Sequence, residues 1–147
     1  MIVVAELHHF KEIASIENKS FNKPWSATQI KNDIQSELYS EHWVYLVNEH
    51  VVGYIFGFII IDEYHLNNLA VHPNFLRRKI ATKLIQYIIS RLISKNINVI
   101  FLEVSSNNIP AQQCYQSLGF IPVGVRKEYY SEGNDAILYN LDLRKNG

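Results

Sequence analysis

Two rhythms of apolar and polar residues run along this chain, one with the period of a helix and one with the period of a strand. Ile80, Leu84, Ile85, Ile88 and Leu92 recur at helical spacing and predict a long amphipathic helix from about residue 79 to 94. Phe10, Ile13, Ala14 and Ile16 place a shorter helix between His9 and Asn18. Pro24 ends that pattern, because proline pushes the preceding residue out of the helical region. Ser26 then suits the N-cap of a second helix reaching Gln35, with Gln29 three residues on as in a capping box. β-branched and aromatic runs predict strands at Ile2 to Ala5, Trp43 to Val47 and Val51 to Ile61, the last two joined through Asn48-Glu49-His50. A further run, His65 to Val71, stops at Pro73, which cannot donate to a ladder. Ile97 to Val104 predicts the next strand and Pro110 to Leu118 a helix closed by Gly119. Two final strands, Ile121 to Tyr129 and Ala136 to Leu143, flank Ser131 to Asp135. The order is β-α-α-β-β-β-α-β-α-β-β. Its central strand–helix–strand crossover requires a locally parallel pair inside a mixed sheet. No linker, repeat or low-complexity block interrupts the pattern, so a single domain spanning 1–147 is expected.

Composition narrows the class. At 147 residues with 48% hydrophobic and 19% charged positions, the chain can bury a core and is expected to be soluble and globular. Lys+Arg and Asp+Glu balance at 14 each, so no global charge draws it to bare nucleic acid or an anionic membrane. The longest apolar run, Val51 to Ile61, is far shorter than the roughly 20 residues of a membrane helix. The start Met1 to Glu6 has no basic segment of the kind that opens a signal peptide. One cysteine, Cys114, excludes an internal disulfide and suits a reducing, cytoplasmic setting. The six histidines show no zinc-type spacing, and no metal site is expected.

Chemistry concentrates after the crossover. Glu103 stands at the C-terminal end of an apolar strand, where open α/β sheets place ligands. A carboxylate there could take a proton from an acceptor, or could simply cap a loop or pair with a lysine. Tyr115 lies on the following helix, on a face shared with Ala111, Cys114 and Leu118, and a core aromatic is the plainer reading. Asn108 suits the N-cap of that helix, with Pro110 pre-set for its first turn. Nothing nearby would activate Cys114 as a nucleophile. Arg77, Arg78, Lys79 and Lys83 gather positive charge at the start of the long helix. Cations there oppose the macrodipole unless an anion binds.

The segment Leu102-Glu103-Val104, Asn108, Ala111 and Tyr115-Gln116-Ser117-Leu118-Gly119-Phe120 follows the pattern LEVxxxN–A–YxxLGF. It resembles the second half of the acetyl-CoA site of the GNAT superfamily of N-acetyltransferases. The element order is similar to theirs over essentially the whole chain. Phe21 to Ser26 resembles the F–PWS loop of the RimI-type branch, which acetylates alanine at ribosomal-protein N-termini. Gly124 to Tyr130, with Asp135-Ala136, resembles its G-x-R-x-x-YY and DA segments. The fold implied is α/β (α+β), a mixed, mostly antiparallel central sheet with helices on both faces and a parallel pair splayed at the cofactor site.

What that resemblance implies is specific. Glu103 would be the general base and Tyr115 the general acid toward the thioester sulfur. Leu69, Ala70 and Val71 would pair through main chain with the pantetheine arm, with the Val71 N–H as oxyanion donor. Arg77, Arg78, Lys79, Ile80, Ala81 and Thr82 would hold the pyrophosphate, and Asn108 would contact the cofactor. The family's Gln/Arg-x-x-Gly-x-Gly/Ala loop aligns with Leu76, Lys79 and Ala81, so only Ala81 matches. A left-handed backbone at Lys79 would strain an L-residue. The implied activity is acetyl transfer from acetyl-CoA to a protein N-terminal amine, with alanine on a small-subunit ribosomal protein as the expected acceptor, by a cytoplasmic monomer or weak dimer. Another amine acceptor, or a non-catalytic binding module, stays open on the sequence. Trp25 is expected to pack, and only one of Tyr129 and Tyr130 can face the groove.

Overall fold

The computed structural model of the chain describes residues 1–36 and 38–146. Its strands are β1 (Ile2–Val4), β2 (Trp43–Val47), β3 (His50–Ile60), β4 (Glu63–Val71), β5 (Val99–Ser105), β6 (Ile121–Ser131) and β7 (Asn134–Asp142). Its α-helices are α1 (Phe10–Ser20), α2 (Ala27–Gln35), α3 (Ile80–Ser94) and α4 (Ile109–Ser117). The strands form one sheet in the order β1-β2-β3-β4-β5-β7-β6. Every neighbouring pair is antiparallel except β4–β5, the pair bridged by α3. The mixed, mostly antiparallel sheet anticipated above is therefore the fold.

Two cores sit on opposite faces of this sheet. On one, α3 buries Ile80, Leu84, Ile85, Ile88 and Leu92 against Val52, Ile55, Ile100 and Leu102. Those five residues are the stripe whose spacing predicts the helix. On the other, Ile13, Ile16 and Ile30 of α1 and α2 pack on Val44, Tyr54, Phe56 and Ala70. The Ser26 hydroxyl caps α2 by accepting the Gln29 N–H at 3.1 Å, as its position predicts.

Polar residues made two connections look longer than they are. Asn48 and Glu49 alone form the β2–β3 turn, both at positive φ (51° and 67°), and His50 already belongs to β3. Consecutive left-handed residues match the twist of a two-residue hairpin. Likewise Asn134 and Asp135 open β7, leaving Glu132-Gly133 as the β6–β7 turn.

One irregularity creates the opening that the rest of the molecule surrounds. β4 pairs with β5 from Glu63↔Val99 to Leu66↔Leu102 and no further. At that point β4 carries a bulge against β3, since Phe56↔Asn68 is followed by Gly57↔Leu66 and Asn67 is the extra residue. Gly57 is required there, because a Cβ would lie 2.2 Å from the Tyr64 ring. Beyond the bulge β4 follows β3 while β5 follows β7 to Ser105, and the two parallel strands part.

Candidate active site

The gap between β4 and β5 opens into a cavity of about 780 Å³. Leu69, Ala70 and Val71 form its β4 wall, and Glu103, Val104 and Ser105 its β5 wall. The His72 N–H donates to the Val52 carbonyl of β3 at 2.8 Å. Amide directions alternate along a strand, so the N–H groups of Leu69 and Val71 point the other way, into the gap.

Glu103 extends into this cavity with its side chain 30% exposed. It stands 3.3 Å from an Arg126 guanidinium nitrogen, a pair open to water because the arginine side chain is 54% exposed. The partner is thus an arginine of the G-x-R segment and not a lysine. Tyr115 lies on α4 among the core aromatics, with Phe120 and Tyr139 at 5.7 and 6.3 Å between ring centroids. It packs as the plainer reading holds, and it also lines the cavity. No other described residue hydrogen-bonds its hydroxyl. Burial pushes its phenol well above the ordinary 10, with Cys114 and Tyr130 adding to the shift. The group is therefore a proton donor throughout the neutral range.

Local bonds explain why α4 sits where it does. Asn108 accepts the Ala111 N–H at 3.2 Å and caps the helix. Gln112 donates to the carbonyls of Ser105 and Ser106 at 3.3 and 3.1 Å and accepts the Tyr139 hydroxyl at 3.0 Å. Ser106 accepts the Asp135 N–H at 3.0 Å, and Asp135 accepts the Glu128 N–H at 2.8 Å. That last bond holds Glu128 at φ 51°, inside a stretch of β6 whose pairing with β7 jumps from Arg126↔Ala136 to Ser131↔Asn134. The outward loop of strand this leaves carries Tyr130 to the cavity wall. Burial first, and then the charge of Glu103, raise the Tyr130 phenol. Tyr129 instead lies under the Arg126 guanidinium at 5.5 Å.

Positive charge marks the start of α3. Arg77, Lys79, Ile80, Ala81 and Thr82 line the cavity, as does Leu76 in the family's Gln/Arg position. Arg78 does not; its guanidinium lies over the Phe75 ring at 4.9 Å. Lys83 likewise turns toward Tyr45, at 6.0 Å. Lys79 is the N-cap of α3 at φ 61° and ψ 25°, with no side-chain cap, and Arg77 has φ 65°. The left-handed backbone that a glycine would favour is therefore present, and a lysine adopts it. The first N–H groups of α3 have no partner from its cap, an arrangement that favours an anion.

Sequence reasoning missed Glu17. Its carboxylate, 2% exposed, lines the cavity and accepts the Tyr54 hydroxyl at 2.5 Å, Asn68 Nδ2–H at 2.6 Å and the Trp25 N–H at 2.9 Å. One signal was available: Glu17 follows Ile13 by one helical turn, so an acid falls on the apolar stripe. Trp25 packs edge-on to Phe56 at 6.4 Å and also forms part of the wall.

One slot thus combines a solvent-linked carboxylate, a buried phenol that stays protonated, inward main-chain N–H groups and a basic helix start. The Acetyltransferase (GNAT) family profile matches residues 10–120. The chain belongs to the GNAT acetyltransferase family. It is 32% identical over 121 residues to the ribosomal protein bS18-alanine N-acetyltransferase of Haemophilus ducreyi, covering 82% of each chain. The crystal structure of the ribosomal-protein-S18-alanine N-acetyltransferase from Escherichia coli superposes with a TM-score of 0.90 at 26% identity, over 97% of this chain and 93% of that one. An aminoglycoside 6′-N-acetyltransferase solved with coenzyme A shares the fold at a TM-score of 0.84 and 12% identity, over 97% of both chains. This GNAT member is an N-acetyltransferase of the same architecture. Among its described residues, no cluster of His, Cys, Asp and Glu could hold a metal ion, and no helix is long and apolar enough to cross a membrane.

Proposed function

We propose that the protein transfers the acetyl group of acetyl-CoA to the α-amino group of a protein N-terminus, an alanine of a small-subunit ribosomal protein. The observation that carries this reading is the meeting of Glu103 and Tyr115 on one cavity at the parting of β4 and β5. The similarity to bS18-alanine acetyltransferases supports the acceptor.

Three chemical demands follow from amine attack on a thioester. The amine must lose a proton, since an α-ammonium with a pKa near 8 is mostly charged at pH 7. Glu103 takes that proton, directly or through a water, after the acceptor displaces Arg126 from a pair weakened by solvent. The carbonyl oxygen gains charge as the C–N bond forms, and the Val71 N–H, which points into the gap, would donate to it. The C–S bond then breaks, and the Tyr115 phenol gives its proton to the departing thiolate. For coenzyme A itself, the gap in the sheet offers main chain to the pantetheine arm. The free N–H groups of α3, with Arg77 and Lys79, offer an anion site to the pyrophosphate.

Mass spectrometry after incubation with acetyl-CoA and a peptide bearing a free N-terminal alanine tests the reading. One acetyl group should appear on the α-amine and be absent with Glu103→Gln. Acetylation of polyamines or aminoglycosides but not of the peptide would move the activity to another acceptor. Failure to bind acetyl-CoA at millimolar concentration would leave a non-catalytic module.

A further inference from the structure

Glu17 is a buried acid that the chemistry above does not use, and no cationic side chain pairs with it among the described residues. Its partners come from three places. Tyr54 belongs to β3, Asn68 to β4 next to the Asn67 bulge, and Trp25 to the loop between α1 and α2. We infer that Glu17 is a positioning residue that clamps the α1–α2 loop to β4 and so sets the shape of the acceptor side of the cavity. The acceptor assignment rests on the reading under Proposed function; the clamp itself does not.

A carboxylate suits this place better than its amide. Oε1 accepts from Tyr54 and Asn68 together, while Oε2 accepts the Trp25 N–H. A glutamine could satisfy the first pair with its carbonyl oxygen, but its NH₂ would then face the Trp25 N–H, donor against donor. Phe21, Lys23 and Trp25 of the same loop line the cavity, so their placement depends on that bond. Asn68 fixes the other side, directly before Leu69, whose N–H faces the gap. Keeping a charge buried on neutral donors costs stability, and the gain is a fixed loop.

Two measurements test the clamp. In the wild-type protein the Trp25 amide should exchange with solvent about 100-fold or more slowly than a free loop amide. In Glu17→Gln that protection should be lost. The KM for a peptide with a free N-terminal alanine should rise about tenfold or more while the KM for acetyl-CoA stays within about twofold. Tyr54→Phe is the control. It removes a donor from Oε1 but keeps the Trp25 bond, so it should lower stability and leave the peptide KM alone.

Free-loop exchange at Trp25 in the wild type would overturn the inference, as would equal shifts of both KM values in Glu17→Gln or a peptide KM raised as much by Tyr54→Phe. If Glu17→Gln does not fold, wild-type exchange and the Tyr54→Phe constants decide alone. If the wild type acetylates no terminal peptide, the acceptor reading fails, and Trp25 exchange in the two proteins still decides whether the clamp exists.

Discussion

The two ends of the β4–α3–β5 unit satisfy their charges in opposite ways. At the C-terminal end of α3, Arg91 donates to both oxygens of Glu41 at 2.6 and 3.0 Å and Lys95 donates at 2.6 Å. Trp43 Nε1–H adds a bond at 2.9 Å, and β4 and β5 are paired beneath. These cations sit where the helix dipole favours them, and Glu41 is 4% exposed. At the N-terminal end the strands part, the cap offers no side-chain bond, and Arg77 and Lys79 oppose the dipole from left-handed backbone. One end is complete within the protein; the other leaves the first helix N–H groups without a side-chain cap, an arrangement that favours an anion. The contrast makes the open end the one suited to an anion, and the same substitution made at each end should have different consequences.

The largest effect belongs to the open end. Glu103→Gln should lower turnover by about 10²–10³-fold, the lower part of the usual range for loss of a general base, equal to roughly 3–4 kcal/mol of barrier. Because Glu103 is solvent-linked and singly paired, its melting temperature should change by less than about 2 °C. The loss should shrink at high pH, where the amine is already neutral. Wild-type turnover, or an unchanged pH–rate profile, would remove Glu103 as the base.

At the closed end the same change should do the reverse. Glu41→Gln should cost about 3 kcal/mol, the low side for breaking a buried pair, since Arg91 and Lys95 reach solvent. That is a fall of about 6–12 °C in Tm, with both KM values unchanged. The acid limb of stability adds a second readout. Burial alone would raise the Glu41 carboxyl, but bonds from Arg91, Lys95 and Trp43 and the charge of Arg91 overcome it and hold the group at about 2, below the ordinary 4.5. A depressed carboxyl contributes stability that is whole above pH 4.5 and disappears as the pH falls through about 2. Urea melts across that window should show the limb in the wild type and not in Glu41→Gln.

Tyr115→Phe probes the open end more gently. A thiolate with a pKa of about 8.5 leaves with modest help, so turnover should fall about tenfold, below the usual range for a general acid. Stability should hold, because the hydroxyl bonds no other described residue. Burial keeps the phenol protonated above pH 10, so wild-type turnover should not decline between pH 8 and 10 on its account.

How much of this was legible in the sequence depends on how far apart the cooperating residues lie. Helix α3 was legible because each member of its stripe is buried on one face. Glu103, Asn108 and Tyr115 were legible as a set because one strand, one turn and one helix carry them. Strand β6 was legible as a strand but not in its environment: Ile121, Val123 and Val125 look like core and are exposed at the sheet edge. Glu17 and Asn68 are 51 residues apart and meet only through the packing of α1 on the sheet, so the acid on the α1 stripe signals a buried carboxylate but no local pattern announces its partner. The backbone at Lys79 was hidden for another reason. A left-handed position is normally advertised by glycine, and here the side chain present argues against the conformation adopted.

That mismatch gives the smallest and most diagnostic prediction. Lys79 at φ 61° carries the strain of an L-residue in left-handed backbone. Lys79→Gly removes it, partly offset by the greater freedom of glycine in the unfolded chain, and should stabilise the ligand-free protein by about 0.5–1 kcal/mol. The same change deletes a cation from the cavity wall. With Lys79 as the proposed phosphate ligand, coenzyme A affinity should fall about fivefold, more at low salt than at high. Lys79→Ala separates the two contributions: it should lose the same affinity and gain no stability, since alanine keeps the strain. Stability and affinity moving in opposite directions only in the glycine variant would mark Lys79 as strained for binding. Tighter coenzyme A binding by Lys79→Gly, read by calorimetry, would instead make the lysine an obstacle, and the open end of α3 would owe its anion site to the helix N–H groups and Arg77 alone.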